Sequence, residues 1–110
     1  MSKRGDTEFL ADIKEAITRI EAYTHNIGYD QFLEDKKTQD AVVRNLQIIG
    51  EAVKNITADF KTEHGNIEWK KLAGLRDKII HHYFGINWDI VWDTAKNKLP
   101  GLLAKIKNIH

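Results

Sequence analysis

The sequence has no cysteine. That absence removes disulfides, thiolate metal sites and cysteine nucleophiles together. Proline occurs once, at Pro100, and glycine seven times in 110 residues, a scarcity that suits long helices better than a turn-rich sheet protein. No apolar run reaches the length of about 18 residues that a membrane span needs, so none is expected. The opening Met1-Ser2-Lys3-Arg4-Gly5-Asp6 lacks the apolar stretch of a secretory signal, which makes a cytoplasmic location the expectation. Neither sign of charge dominates: the formal net charge is +1. Bulk electrostatics therefore does not make the chain a nucleic-acid binder, and any RNA binding must rest on a local cluster of cations. There is no His-Glu-x-x-His pattern and no paired acidic cluster with metal-ligand spacing, so neither a metal nor a cofactor is expected.

What the chain does have is helical periodicity. Its length suffices for one compact domain spanning residues 1–110 and not for two. Leu10, Ile13, Ile17 and Ile20 recur at spacings of three and four, which predicts a helix from about Thr7 to Tyr23 with Asp6 as its N-cap. His25 to Asp30 reads as a break. Val42, Leu46, Ile49, Val53 and Ile56 repeat the stripe in a second helix, from about Asp35 or Thr38 to Ile56. Gly50 lies inside it at a cost of about 1 kcal/mol relative to alanine, which close packing of another helix would explain. The polar stretch from Asp59 to Asn66 reads as a connection.

A third helix is expected from near Glu68 to about Phe84, striped by Leu72, Leu75 and Ile79 and ended by Gly85. Asn87 can cap a short helix carrying Ile90, Val91, Trp92 and Ala95, and Pro100 suits the first turn of a last helix, Leu99 to Ile109. No alternating segment is long enough to be a strand, and no internal repeat stands out. The expected fold class is all-α, four main helices and a short one packed as a bundle.

Ionisable residues crowd into Arg76-Asp77-Lys78-Ile79-Ile80-His81-His82-Tyr83. On one helix Asp77 and His81, four apart, share a face, so the carboxylate can fix the imidazole tautomer. Arg76 and Tyr83, seven apart, also share a face. Arg76 and His81, five apart, point about 140° away from each other. Two copies of the helix across a two-fold axis would pool both residues in one cleft, which suggests a homodimer. The residue types suit phosphodiester cleavage without a metal. A histidine can take the 2′-hydroxyl proton or protonate the leaving 5′-oxygen, and an arginine can hold the phosphate. His81 near a helix C-terminus would be favoured in its charged form.

Arg-x4-His-x-Tyr, standing as Arg76, His81 and Tyr83, resembles the signature of HEPN-domain toxins of the HepT type. The likeness extends to Phe9-Leu10-Ala11-Asp12-Ile13, to Arg44-Asn45-Leu46-Gln47-Ile48-Ile49-Gly50-Glu51-Ala52, and to Trp69 with Leu72-Ala73-Gly74-Leu75-Arg76. It continues through Tyr83-Phe84-Gly85-Ile86, Ile90-Val91-Trp92 and Leu99-Pro100, in order over nearly the whole chain. The resemblance implies a HEPN bundle of four to five helices that dimerises, with a metal-independent endoribonuclease cleft at the dimer interface. Arg76 and His81 would be catalytic, with Asp77 and Tyr83 supporting. It also implies a type II toxin–antitoxin role. The cognate antitoxin would be a minimal nucleotidyltransferase that transfers AMP from ATP onto Tyr83, adding bulk and negative charge where an RNA phosphate would lie. One position departs from the pattern: Asp77 stands where asparagine is common, and its charge could weaken phosphate binding or orient His81.

Each signal also has a plainer account. His81 can be a surface or helix-end histidine with no task, and His82 a partly buried extension of the third stripe. Adjacent His81 and His82 point to different sides of a helix, against joint metal binding. Arg76 can pair with Glu51, Arg44 and Glu51 can be structural support, and Tyr83 can lie at the bundle edge. Trp88 and Trp92, four apart, read as core or interface anchors. Lys70, Lys71, Lys96, Lys98, Lys105 and Lys107 read as solvated faces that would guide RNA if they lined the cleft. The competing functional class is a non-catalytic HEPN module that binds a nucleotide or docks onto a nucleotidyltransferase.

Overall fold

A computed structural model describes residues 4–81 and 85–109, His81 through its backbone. The described chain is mostly helical, as the stripes predict. In order it forms α1 (Asp6–Thr24), α2 (Tyr29–Glu34), α3 (Lys36–Asn55), α4 (Ala58–Glu63), α5 (Trp69–Ala73) and α6 (Leu75–Ile79). Two-residue strands β1 (Ile80–His81) and β2 (Gly85–Ile86) follow. Then come α7 (Trp88–Asp93), a π-helical turn (Thr94–Lys98) and α8 (Leu99–Lys107).

The two long helices, α1 and α3, form the main packed pair. Leu10, Ile13, Ile17 and Ile20 from α1, with Val42, Leu46, Ile49 and Val53 from α3, are all buried. Each such side chain contributes about 1.5–3 kcal/mol relative to an exposed one. Val91, Ala95, Leu99, Leu103 and Ile106 join the same core from the C-terminal segment.

Asp6 is not the cap of α1. Gly5 takes that position, and its N–H donates to the Glu8 carboxylate at 3.0 Å. The Asp6 carboxylate instead accepts from the Thr57 N–H at 2.8 Å and the Thr57 hydroxyl at 2.7 Å. This ties the start of α1 to the start of α4. Asp35 caps α3, accepting from the Thr38 N–H at 3.1 Å and its hydroxyl at 2.6 Å. Those hydrogen bonds, the hydroxyl's foremost, hold the Asp35 carboxyl below its ordinary pKa.

Two short helices lie outside the expected ones: α2 starts at the end of the expected break, and α4 overlaps the expected connection. α2 is anchored by Phe32, which is wholly buried. Its ring lies 5.0 Å from that of Trp92 and edge-on to Trp88, which makes both tryptophans core anchors, as expected. α4 buries none of its residues fully; Thr57 caps it by accepting from the Phe60 N–H. A single anchor in six residues leaves no period to see.

The expected helix from Glu68 to Phe84 is broken twice. Gly74 separates α5 from α6, its N–H donating to the Leu72 and Lys70 carbonyls. The helix then stops at Ile79, whose carbonyl accepts from the Asn87 N–H at 2.7 Å; a continued helix would need that acceptor for its own ladder. Ile80 and His81 pair antiparallel with Ile86 and Gly85. A ladder this short carries no alternating pattern, which is why no strand is expected from the sequence. Gly85 does adopt left-handed backbone (φ 76°), but within β2 and not at a helix end.

Asn87 caps α7 as expected, accepting from the Ile90 N–H at 3.2 Å. The helical backbone then runs on through the π-turn into α8. Proline lacks an N–H, and its ring would clash with the carbonyl four residues back. The wider turn before Pro100 accommodates both without ending the helix.

Candidate functional site

Arg76 and Asp77 lie in the first turn of α6, and both are exposed. Arg76 lines a depression between α3 and the α5–α6 junction, with Gln47, Gly50, Glu51, Lys54 and Ala73. Gly50 lies where the end of α5 meets α3. A Cβ there would lie 3.5 Å from the Leu72 carbonyl oxygen and 3.9 Å from that of Ala73, in ordinary van der Waals contact with the C-terminal end of α5. The close packing expected at Gly50 is thus present, against carbonyls of a short helix.

Arg76 and Glu51 share the depression, but the expected salt bridge is not formed. Among the described residues the ion pairs are Arg4–Asp12, Arg19–Glu15, Lys71–Glu68 and Lys98–Asp93. Arg76 is therefore an exposed guanidinium near Lys54, with Glu51 as the neighbouring counter-charge. Arg44 and Glu51, seven apart on α3, both border the adjoining groove toward Phe9 and Asp12 of α1.

The helical geometry expected for Asp77 and His81 does not hold. α6 ends at Ile79, and Ile80 is extended (φ −104°, ψ 118°). His81 lies two residues past the helix end, opposite Gly85, so neither the shared face with Asp77 nor the angle of about 140° to Arg76 describes this backbone. The expectations for His82, Tyr83 and the side chain of His81 lie outside the described residues.

The cationic side chains divide into two kinds. The Lys96 ammonium donates to the Thr24 carbonyl at 2.9 Å and lies 5.2 Å from the centre of the Trp92 ring, so Lys96 ties α1 to the C-terminal segment. Lys71, Lys78, Lys98 and Lys105 instead border one cleft between α5–α6 and the π-turn with α8. Sequence reasoning missed Gln47 and Lys54 as neighbours of Arg76. The spacing of Gln47, Gly50, Glu51 and Lys54 along α3 places them on one face, but only the tertiary fold brings Arg76 there. Among the described residues no group of three His, Asp or Glu side chains is placed to hold a metal ion, and no helix is long and apolar enough to cross a membrane.

Comparison with known proteins adds an independent line. The family model described as Ribonuclease HepT-like matches residues 13–109. A Thermococcus cleftensis protein named "Probable ribonuclease HepT" is 49% identical, the match covering 98% of this chain and 98% of that one. A Methanocaldococcus jannaschii protein named "Putative RNase" is also 49% identical, over 99% of this chain and 90% of its own. A similarly named Caldanaerobacter subterraneus protein is 45% identical over 76% of this chain and 74% of its own. No solved structure matches.

Proposed function

Given that this chain belongs to the HepT-like ribonuclease family, matched over residues 13–109, we propose that it is a metal-independent endoribonuclease and the toxin of a type II toxin–antitoxin pair. Arg76 and His81 are its catalytic residues. The observation that carries the assignment is the setting of Arg76: exposed, outside the ion pairs of the described residues, and one short helix ahead of His81. A planar guanidinium so placed is available to grip a phosphate through two parallel hydrogen bonds and to stabilise charge developing on it during cleavage.

His81 takes the 2′-hydroxyl proton or delivers one to the leaving 5′-oxygen, as an imidazole can. Asp77 supports the site electrostatically from α6, and Tyr83 contacts substrate. The active form is a homodimer whose facing clefts pool Arg76 and His81. A minimal nucleotidyltransferase antitoxin silences it by transferring AMP from ATP onto the Tyr83 hydroxyl, which places an extra phosphate where the RNA backbone would lie.

The test is RNA cleavage by purified, unmodified protein in excess chelator, beside His81→Ala of verified fold. Cleavage by the first and a loss of about 10²–10⁴-fold in the second is the expected result for a general acid–base residue. Equal cleavage by both would show that His81 is not the catalyst. Failure of a folded, unmodified dimer to cut any of several RNAs would favour the binding-module alternative.

A further inference from the structure

The two walls of the lysine-rimmed cleft are the same short sequence used twice. Lys71-Leu72-Ala73-Gly74-Leu75-Arg76-Asp77-Lys78 matches Lys98-Leu99-Pro100-Gly101-Leu102-Leu103-Ala104-Lys105 at both lysines, both leucines and the glycine. Neither copy is conspicuous in the linear sequence, where one falls in α5–α6 and the other at the π-turn and α8. In the fold they oppose each other. Every matching position borders the cleft except Gly74. In each copy lysine, leucine and lysine stand at i, i+4 and i+7, and all three border the cleft although Gly74 interrupts the first copy and the π-turn opens the second. The result is an apolar floor of Ile67, Leu72, Leu75, Leu99 and Leu102 between two pairs of ammonium groups. Arg76 faces the other way, into the α3 depression.

The electrostatics of the rim are one-sided. Four lysines and a single carboxylate, Glu68, border the cleft, a formal surplus of three positive charges in a chain whose total is +1. Glu68 is engaged by Lys71 at 2.6 Å. Its carboxyl is held below its ordinary pKa by that hydrogen bond first, and also by the charges of Lys71, Lys105 and Lys98. Lys105 donates to the Asn66 carbonyl at 3.0 Å, and Lys98 lies 3.8 Å from Asp93. Lys78 takes part in no ion pair among the described residues. A second copy of this chain does not suit such a surface, because an isologous contact would bring the two lysine rims together.

We propose that this cleft is a second RNA-binding site, which holds the single-stranded substrate on the face of α6 away from Arg76. Backbone phosphates lie between the two lysine walls, and a ribose or base rests on the leucine floor. A volume of about 320 Å³ is at the low end for ligand pockets and suits one nucleotide unit of a longer strand. Aliphatic walls without an aromatic platform give no base preference from stacking, so the site would grip RNA with little regard to sequence. The inference rests on the ribonuclease reading for the identity of the polyanion, while the cleft itself lies on the face of α6 opposite Arg76.

The test is binding of a short 2′-O-methyl oligouridine, which lacks the nucleophilic hydroxyl, followed by fluorescence anisotropy across a salt series. Lys78→Gln with Lys98→Gln is compared with Lys36→Gln with Lys37→Gln, exposed at the start of α3, and with Lys78→Arg with Lys98→Arg. Counterion release of about 0.7 per contact on a single strand predicts about 25-fold weaker binding in 0.1 M salt for the cleft glutamine pair, and a salt slope smaller by about 1.4. The α3 pair and the arginine pair should bind as the wild type does. Unchanged affinity and slope in the cleft glutamine pair would overturn the proposal, and selective loss of binding to an acidic protein partner would then assign the cleft to protein docking. Wild-type cleavage with normal RNA binding by the cleft pair sinks this site and leaves the ribonuclease reading intact. Cleft-dependent binding without any cleavage does the reverse.

Discussion

α1 with α3 and the segment from Trp69 to Ile86 are built on opposite plans. The long helices bury continuous apolar stripes against each other, and their course follows from side-chain period alone. The later segment passes through four short elements in 18 residues, α5, α6, β1 and β2. It buries Trp69, Leu75 and Ile79, while Arg76, Asp77 and Lys78 remain exposed. Stability is concentrated where the chain is regular. The groups with chemical potential are concentrated where it is short, interrupted and set by its neighbours, as is common when a rigid scaffold positions binding residues.

That division is tested most severely at Arg76. Arg76→Ala should lower RNA cleavage by about 10²–10³-fold, the range for loss of a transition-state donor. It should also leave stability within about 0.5 kcal/mol, as for an exposed side chain outside any ion pair. A large drop in denaturation midpoint would break the division by giving Arg76 a structural task. Ile49→Ala is the converse: a wholly buried side chain whose truncation should cost about 2–5 kcal/mol in chemical denaturation. The surviving folded fraction should cleave at the wild-type rate per molecule.

Smaller effects sharpen the boundary between the regions. Thr57→Ala removes both the cap of α4 and the hydroxyl partner of Asp6, and should cost about 1–2 kcal/mol. The double variant with Asp6→Ala should cost less than the sum of the two single changes, since they share one interaction. A strictly additive result would mean that the hydrogen bond from the Thr57 hydroxyl to Asp6 carries no energy.

The smallest expected effect is at Asp35. Its folded pKa is lowered, so its stabilising contribution is complete above the unfolded carboxyl value and is lost as pH falls through the folded one. Asp35→Asn can still cap α3 through its amide oxygen but does not titrate. It should therefore flatten the acid limb of stability against pH, with little change at neutrality. An unaltered acid limb would show that other carboxylates set it.

Several features were legible in the residues. The stripes of α1 and α3, the Asn87 cap and the anchoring role of Trp88 and Trp92 follow from spacing and side-chain type. So does the all-α character, which comes from long periodic runs with almost no proline. α2 and α4 were not legible, because one buried or half-buried ring in six residues makes no period. The end of α6 was not legible either. Ile79, Ile80 and His81 continue a plausible helical pattern, and the chain leaves it where the Asn87 N–H reaches the Ile79 carbonyl at 2.7 Å.

The candidate site divides along the same line. Composition and motif determined which side chains could act on a phosphodiester, since that is fixed by chemistry: Arg76 for charge, His81 for proton transfer. Only the tertiary structure decided where they stand. α5 packs against α3 beside Gly50, so Arg76 meets Gln47, Glu51 and Lys54 from a distant part of the chain. The approach of two Lys-Leu-x-Gly-Leu-x-x-Lys segments likewise turns scattered lysines into one cleft. A sequence states local period and residue chemistry directly. It does not state which of many possible long-range hydrogen bonds and packings will end a helix or face two like-charged segments toward each other, because those depend on the free energy of the whole fold.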